Sequence, residues 1–136
     1  MIFDTQSMLS NAQAVTVTAP STNTLDLGPV ASGIARDIGK GKAVPFRLQV
    51  VEDFNNLTSL TLDLQSDDNT AFSSPKSLWS QTVPLAELKT GKVLLPEYLP
   101  RGTAERYLRL NYTVTGTAPT AGKITAGVTL GNHSNG

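Results

Sequence analysis

The clearest pattern in the sequence is the alternation of apolar and polar side chains, which runs longest in residues 106–115 (RYLRLNYTVT). Leu108, Leu110, Tyr112 and Val114 share one parity, and polar side chains occupy the other. Successive side chains of a strand point to opposite faces of its sheet, so this run predicts a strand with one buried face. We interpret it as a central strand of an antiparallel sheet.

The same alternation recurs along the chain between segments rich in turn-forming residues. Besides 106–115, strands or short extended pieces are predicted at 14–19, 24–27, 44–51, 57–65, 76–82, 93–96 and 123–130. Residues 83–91 predict a single helical turn or a tight loop that ends at Gly91. About eight strands with at most one short helical turn predict an all-β fold, an antiparallel β-sandwich for which a jelly roll is the expected topology.

Three segments do not follow the alternating pattern. Residues 1–11 predict an N-terminal arm, whose apolar side chains either cover the chain's own core or pack on a neighbouring subunit. Residues 28–43 are rich in glycine and form the longest predicted loop. Residues 131–136 have no apolar side chain and predict a flexible tail. With no internal repeat, the chain is predicted to be a single domain over 1–136, with the sandwich at 12–130.

The charge balance restricts the partners that we expect. Eleven basic and eleven acidic residues give a net charge of zero, which is not typical of a nucleic-acid-binding protein or of one that binds anionic membranes. No apolar run is long enough to span a bilayer, and the first residues lack the basic and apolar regions of a signal peptide. We therefore expect no nucleic-acid partner, no membrane partner and no secretion.

The residues that would carry chemistry are sparse. The chain has no cysteine, and its one histidine, His133, lies in the polar tail, so neither a nucleophilic triad nor a zinc site is predicted. Asp67-Asp68-Asn69 lacks the glycine and the later glutamate of a calcium-binding loop, and Gly39-Lys40-Gly41-Lys42 lacks the spacing of a phosphate-binding loop. We expect no catalytic residue, cofactor or metal ion, and a protein that is not an enzyme.

Several motifs together resemble a known family. In order along the chain they are MIFDTQ at 1–6, GIARDIG at 33–39, PRGT at 100–103, RYLRLNY at 106–112 and AGKITAG at 121–127. In this combination the sequence resembles the jelly-roll capsid cement, or decoration, proteins of tailed bacteriophages, of the short-tailed Bordetella-phage type. The resemblance covers nearly the whole chain, and each motif is structural rather than catalytic.

The resemblance implies a structural role in the virion. The protein would bind the outer surface of the capsid, bridge major capsid protein subunits and stabilise the shell, after assembly in the cytoplasm of the host bacterium. Its partners would be the major capsid protein and a second copy of itself, as a homodimer, with a trimer as the alternative. The fold expected from the resemblance is the same jelly roll that the alternation predicts.

Exposed apolar side chains are costly in water, so we expect those in the arm, the long loop and one turn to contact the capsid or another subunit. The candidates are Ile2, Phe3, Met8 and Leu9 in the arm, Ile34, Arg36, Asp37 and Ile38 in the loop, and Tyr98, Pro100 and Arg101 in the turn. The Arg36-Asp37 pair is expected to fix orientation more than affinity. For every candidate, packing within the subunit is the alternative.

A second function stays open at this point. Trp79, Tyr98, Tyr107 and Tyr112 could form a platform on which sugar rings stack, as in a carbohydrate-binding or receptor-binding jelly-roll module of a phage. Such a module needs exposed aromatic rings beside polar groups in a groove. Burial of Tyr112 in the core, with Trp79 and Tyr98 covering sheet edges, is the alternative.

Overall fold

The structure, a computed structural model, describes residues 2–30 and 36–130. Two antiparallel sheets pack face to face, and one 3-10 turn spans Leu85–Glu87. The strands are β1 (Phe3–Ala14), β2 (Ala19–Pro20), β3 (Leu25–Asp26), β4 (Phe46–Glu52), β5 (Leu57–Asp67), β6 (Lys76–Pro84), β7 (Val93–Leu94), β8 (Tyr107–Gly116) and β9 (Lys123–Thr129). The all-β prediction is confirmed.

The strand order is that of a jelly roll. One sheet has the order β1-β9-β4-β7, and the other has the order β2-β8-β5-β6, with β3 also pairing with β8. β2 and β3 follow each other along the same side of β8, so they act as one interrupted strand. Counted in this way, the first strand pairs with the last, the second with the second last, and so on inward. This is a long hairpin rolled into two sheets.

The core lies between the sheets and is built from the inward parity of the long strands. Leu108, Leu110 and Tyr112 of β8 have no exposed surface, as the alternation predicted. They pair with β5, whose inward leucines Leu62 and Leu64 lie opposite Tyr112 and Leu110. Each such side chain contributes about 1.5–3 kcal/mol on burial, so this strand pair is a major source of the fold's stability.

One polar network crosses the core. The hydroxyl of Tyr112 lies 2.8 Å from Ser10 Oγ, and Ser10 donates to Gln13 Oε1 at 2.6 Å. Since the Ser10 proton is used in this way, Tyr112 is the donor to Ser10. Gln13 in turn accepts from Thr22 N and donates to Pro20 O. Burial raises the pKa of Tyr112, and the network joins β1 of one sheet to β8 of the other.

The first strand differs from the prediction. From Phe3 onward the predicted arm is part of β1, which pairs with β9, whereas residues 15–18, predicted as a strand, form a bend. The alternation is hidden because β1 is irregular: between the pairs Phe3–Thr129 and Met8–Gly127 it has three more residues than its partner.

Leu9 is corrected in consequence. It was expected at a contact surface, but it has no exposed area and belongs to the core of the sandwich. Met8 and Ser10 pair with Gly127 and Ala126, which are consecutive residues of β9, so Leu9 is the extra residue of a bulge in β1. The bulge leaves the Leu9 side chain in the core. A substitution at Leu9 would therefore report on folding rather than on binding.

Replacing Tyr112 by phenylalanine is expected to lower the free energy of unfolding by about 1–2 kcal/mol, because it removes the buried bond to Ser10. Tyr107→Phe is the matched control, since its half-buried ring lies against the Arg106 guanidinium and changes little on losing the hydroxyl. Urea unfolding of both variants measures the difference. Equal losses in the two variants would contradict a role for the network.

Candidate interaction surface

Two segments that the sequence singled out meet at one end of the sandwich. Ile38 N donates to Thr103 O at 3.1 Å, which joins residues 36–40 to residues 98–103. Gly39 lies so close to the Pro100 carbonyl that a Cβ atom there would overlap with it. We call residues 36–40 and 98–103 together the loop-turn junction. Two motifs far apart in the sequence are thus one structural unit.

Arg36 ties the junction to the rest of the chain. Its guanidinium donates to Leu27 O at 3.0 Å and to Gly28 O at 3.1 Å, and it also reaches Glu105 O at 3.3 Å. Backbone carbonyls in loops have no ladder partners, so a half-buried guanidinium that satisfies three of them stabilises the loop. Arg36 is thus engaged within the subunit and is not free to orient a partner.

Asp37 holds the junction from the other side. Its Oδ1 accepts from Gly39 N at 3.0 Å, and its Oδ2 accepts from Gly102 N at 2.8 Å. The pKa of Asp37 is lowered, above all by the hydrogen bond from Gly102, with Gly39 and Thr103 adding to it against the opposing effect of partial burial. Like Arg36, Asp37 uses its hydrogen bonds to stabilise the loop-turn junction within the subunit.

Exposed apolar side chains line the same end of the molecule. Leu130 N donates to Ile2 O at 3.1 Å, Thr129 N donates to Pro45 O at 3.2 Å, and Pro45 pairs with Tyr98. The start of β1, the end of β9 and Tyr98 therefore lie side by side. Ile2, Tyr98 and Leu130 are 58%, 47% and 74% exposed, and we call these three residues the apolar rim.

The sequence did not indicate Leu130 as a contact residue, because the alternation along β9 predicts that its side chain is buried. Ile124, Ala126 and Val128 face the core, so the same parity predicts that Leu130 is buried too. The strand ends at Thr129, however, and Leu130 lies past the sheet with its side chain in water. Only its position before a wholly polar tail could have indicated exposure.

The other candidates are distributed as follows. Phe3 and Met8 are half-buried on β1, and Ile38 is half-buried against the core. Pro100 is half-buried and accepts a hydrogen bond from the Thr103 hydroxyl, whereas Arg101 is exposed. Ile34 lies outside the described residues. Of the candidates that the structure describes, Ile2, Tyr98 and Arg101 are the exposed ones.

The four rings considered for a sugar platform are not presented together. Tyr112 is in the core, and Trp79 packs against the core with part of its surface. Tyr107 is half-buried, with the Arg106 guanidinium 5.0 Å from its ring centre. Tyr98 is the exposed ring of the four, so the arrangement offers a single ring at one end rather than a stacking face.

The remaining candidate sites are a groove and possible metal-binding clusters, and they point to a function less clearly than this end of the sandwich does. A groove of about 200 Å³ lies between β6 and β7, and the ion pair of Glu87 with Lys92, at 3.7 Å, borders it. Within residues 2–30 and 36–130, no three His, Asp or Glu side chains are grouped so that they could hold a metal ion. In the same ranges, no helix is long and apolar enough to cross a membrane.

Comparison with protein-family models identifies the family of the chain. The model of the Bbp16 family matches residues 9–128, which is most of the sequence. The chain belongs to the Bbp16 family. Bbp16 is the family name of a Bordetella phage protein, and no curated protein matches the chain. The Bbp16 match includes both halves of the loop-turn junction, whereas Ile2 and Leu130 of the apolar rim lie outside it.

Gly39→Ala is expected to lower the free energy of unfolding by about 1–3 kcal/mol, because its methyl group would overlap with the Pro100 carbonyl. Gly41→Asn is the matched control in the same loop: Gly41 has a φ of 84° and open space around it, so asparagine brings no steric overlap and costs about 1 kcal/mol of backbone strain. Hydrogen exchange of the Ile38 and Gly102 amides should accelerate only in Gly39→Ala.

Asp37 should contribute to acid sensitivity. Its pKa is lower in the folded protein than the value of about 3.9 in the unfolded chain, so its stabilisation is present above that value. The stabilisation is lost as the pH falls through the lower folded-state pKa. Urea unfolding from pH 7 to pH 2.5 should show wild type more stable than Asp37→Asn at neutral pH, with a difference that shrinks below about pH 4. A difference independent of pH would contradict this assignment.

Proposed function

We propose that this Bbp16-family protein is a capsid cement, or decoration, protein that binds the outer surface of a phage head. It bridges neighbouring major capsid protein subunits, stabilises the shell and catalyses no reaction. The observation that carries the proposal is the convergence of the apolar rim and the loop-turn junction at one end of the sandwich. Membership of a phage protein family and the motif resemblance to cement proteins support the same role.

The geometry suits binding to a large, repetitive partner. The rim has three large apolar side chains that would leave water on binding. Each Å² of apolar surface buried in this way contributes about 25 cal/mol of favourable binding free energy. The loop-turn junction beside it is held by hydrogen bonds of Arg36 and Asp37, so little conformational entropy is lost when it is covered. A modest contact of this kind becomes strong when many copies bind one lattice.

A homodimer is part of the proposal, with a trimer as the alternative. In a dimer each copy would present one rim, so that two capsid subunits are joined through the pair. The nine-residue β6 lies at the edge of its sheet and has one single-residue bulge, at Leu78, whereas β1 has three register shifts. It is therefore the edge strand best suited to contact a second copy. Light scattering of the purified protein measures the number of copies directly.

The capsid contact is tested by Ile2→Ser, Tyr98→Ser and Leu130→Ser combined in one variant. We expect its occupancy on heads purified from a phage lacking this protein to fall at least about tenfold, since three apolar contacts of about 1–2 kcal/mol are removed. Val17→Ser is the control, because Val17 is 61% exposed and lies at the opposite end of the sandwich.

Co-sedimentation with the heads gives the occupancy, and thermal unfolding checks that both variants fold. Equal occupancy of wild type and the triple variant would rule out the rim as the contact. If wild type bound glycans and not heads, the proposal would be replaced by the receptor-binding alternative.

A further inference from the structure

A concentration of positive charge lies beside the apolar rim. Residues 38–44 and 98–104 include Lys40, Lys42 and Arg101 but no carboxylate, and the acidic residues Asp37, Glu97 and Glu105 directly flank these two segments. All three basic side chains are exposed. Across the described parts of the chain, none of them lies within 4 Å of a carboxylate; the ion pairs there use Lys76, Lys92, Arg106 and Lys123 instead.

The backbone brings these cations to one place. Leu99 N donates to Val44 O at 3.0 Å, and Pro45 pairs with Tyr98, so the segments that carry Lys42 and Arg101 run side by side. Lys40 follows Gly39, which packs on the Pro100–Arg101 peptide. We call Lys40, Lys42 and Arg101 the basic tip. Through Tyr98 the basic tip is continuous with the apolar rim.

Asp37, the acidic residue of the loop-turn junction, does not form an ion pair with the basic tip. Asp37 lies at the base of the loop, half-buried, with both of its oxygens accepting backbone N–H groups. Lys40 lowers the pKa of Asp37 through its charge, but the contribution is smaller than those of the hydrogen bonds. Three ammonium and guanidinium groups therefore point to water at the end of the molecule that carries the exposed apolar side chains.

We infer that the basic tip docks on an acidic protein surface, in which Asp and Glu side chains surround an apolar depression that receives the rim. This inference rests on the proposed function and specifies the chemistry of the capsid face. Charges around an apolar contact set the association rate, the salt dependence and the orientation of the partners. A nucleic acid would match the cations but not the rim, because its phosphate backbone offers no apolar counterpart.

The test uses heads purified from a phage lacking this protein, at 50, 150 and 500 mM NaCl. The variant Lys40→Ser with Lys42→Ser and Arg101→Ser removes the tip charge, and Lys89→Ser with Lys92→Ser and Lys123→Ser removes the same charge at the opposite end. Lys40→Arg with Lys42→Arg and Arg101→Lys keeps the charge. We expect the first variant to bind about tenfold or more weakly at 50 mM NaCl and to lose most of its salt dependence.

The control and the charge-conserving variant should bind like wild type. Tight binding of wild type that is independent of salt and equal in all variants would overturn the acidic partner while leaving the proposed function intact. Absence of wild-type binding to the heads would overturn both. Salt-dependent binding of wild type to a duplex DNA fragment, lost in the tip variant and not seen with heads, would assign the tip to nucleic acid instead.

Discussion

The whole architecture depends on burying the apolar face of β8. This 10-residue strand pairs with β5 along its length and with β2 and β3 on its other side, so it lies inside its sheet. Leu108 and Leu110 are buried completely, and a shift of register by one residue would expose both. Burial of this face therefore fixes where β8 begins, and with it the position of the turn at 98–103 that precedes the strand.

The end of the sandwich is held in a different way from its middle. The long loop has few apolar side chains, so its conformation depends on satisfying backbone groups that no sheet ladder can reach. Arg36 and Asp37 perform this task with side-chain hydrogen bonds to Leu27, Glu105 and Gly102, among others. Residues 36–40 therefore have a defined geometry although they contribute little hydrophobic packing.

The sequence predicted the regular strands well and the candidate surface only in part. The strand expected at 44–51 is β4 at Phe46–Glu52, because one apolar face makes the period visible. The sequence did not predict β1 as a strand, because its bulges break the alternating period and bury Leu9. The loop and the turn were identified separately, but their junction depends on contacts such as that between Asp37 and Gly102, 65 residues apart. No local pattern records contacts of that range.

The two kinds of exposed group at this end have complementary effects on binding. Apolar contacts are non-directional, so a rim of Ile2, Tyr98 and Leu130 alone would stabilise many orientations almost equally. On the acidic partner surface that we infer, cations on one side of the rim would favour a single orientation, because only that orientation would bring them to the partner's carboxylates. On the proposed capsid lattice this orientation would matter more than the affinity of one copy, since avidity multiplies weak contacts only if every copy binds in the same geometry. A chain without net charge can thus combine local electrostatic orientation with little repulsion between neighbouring copies.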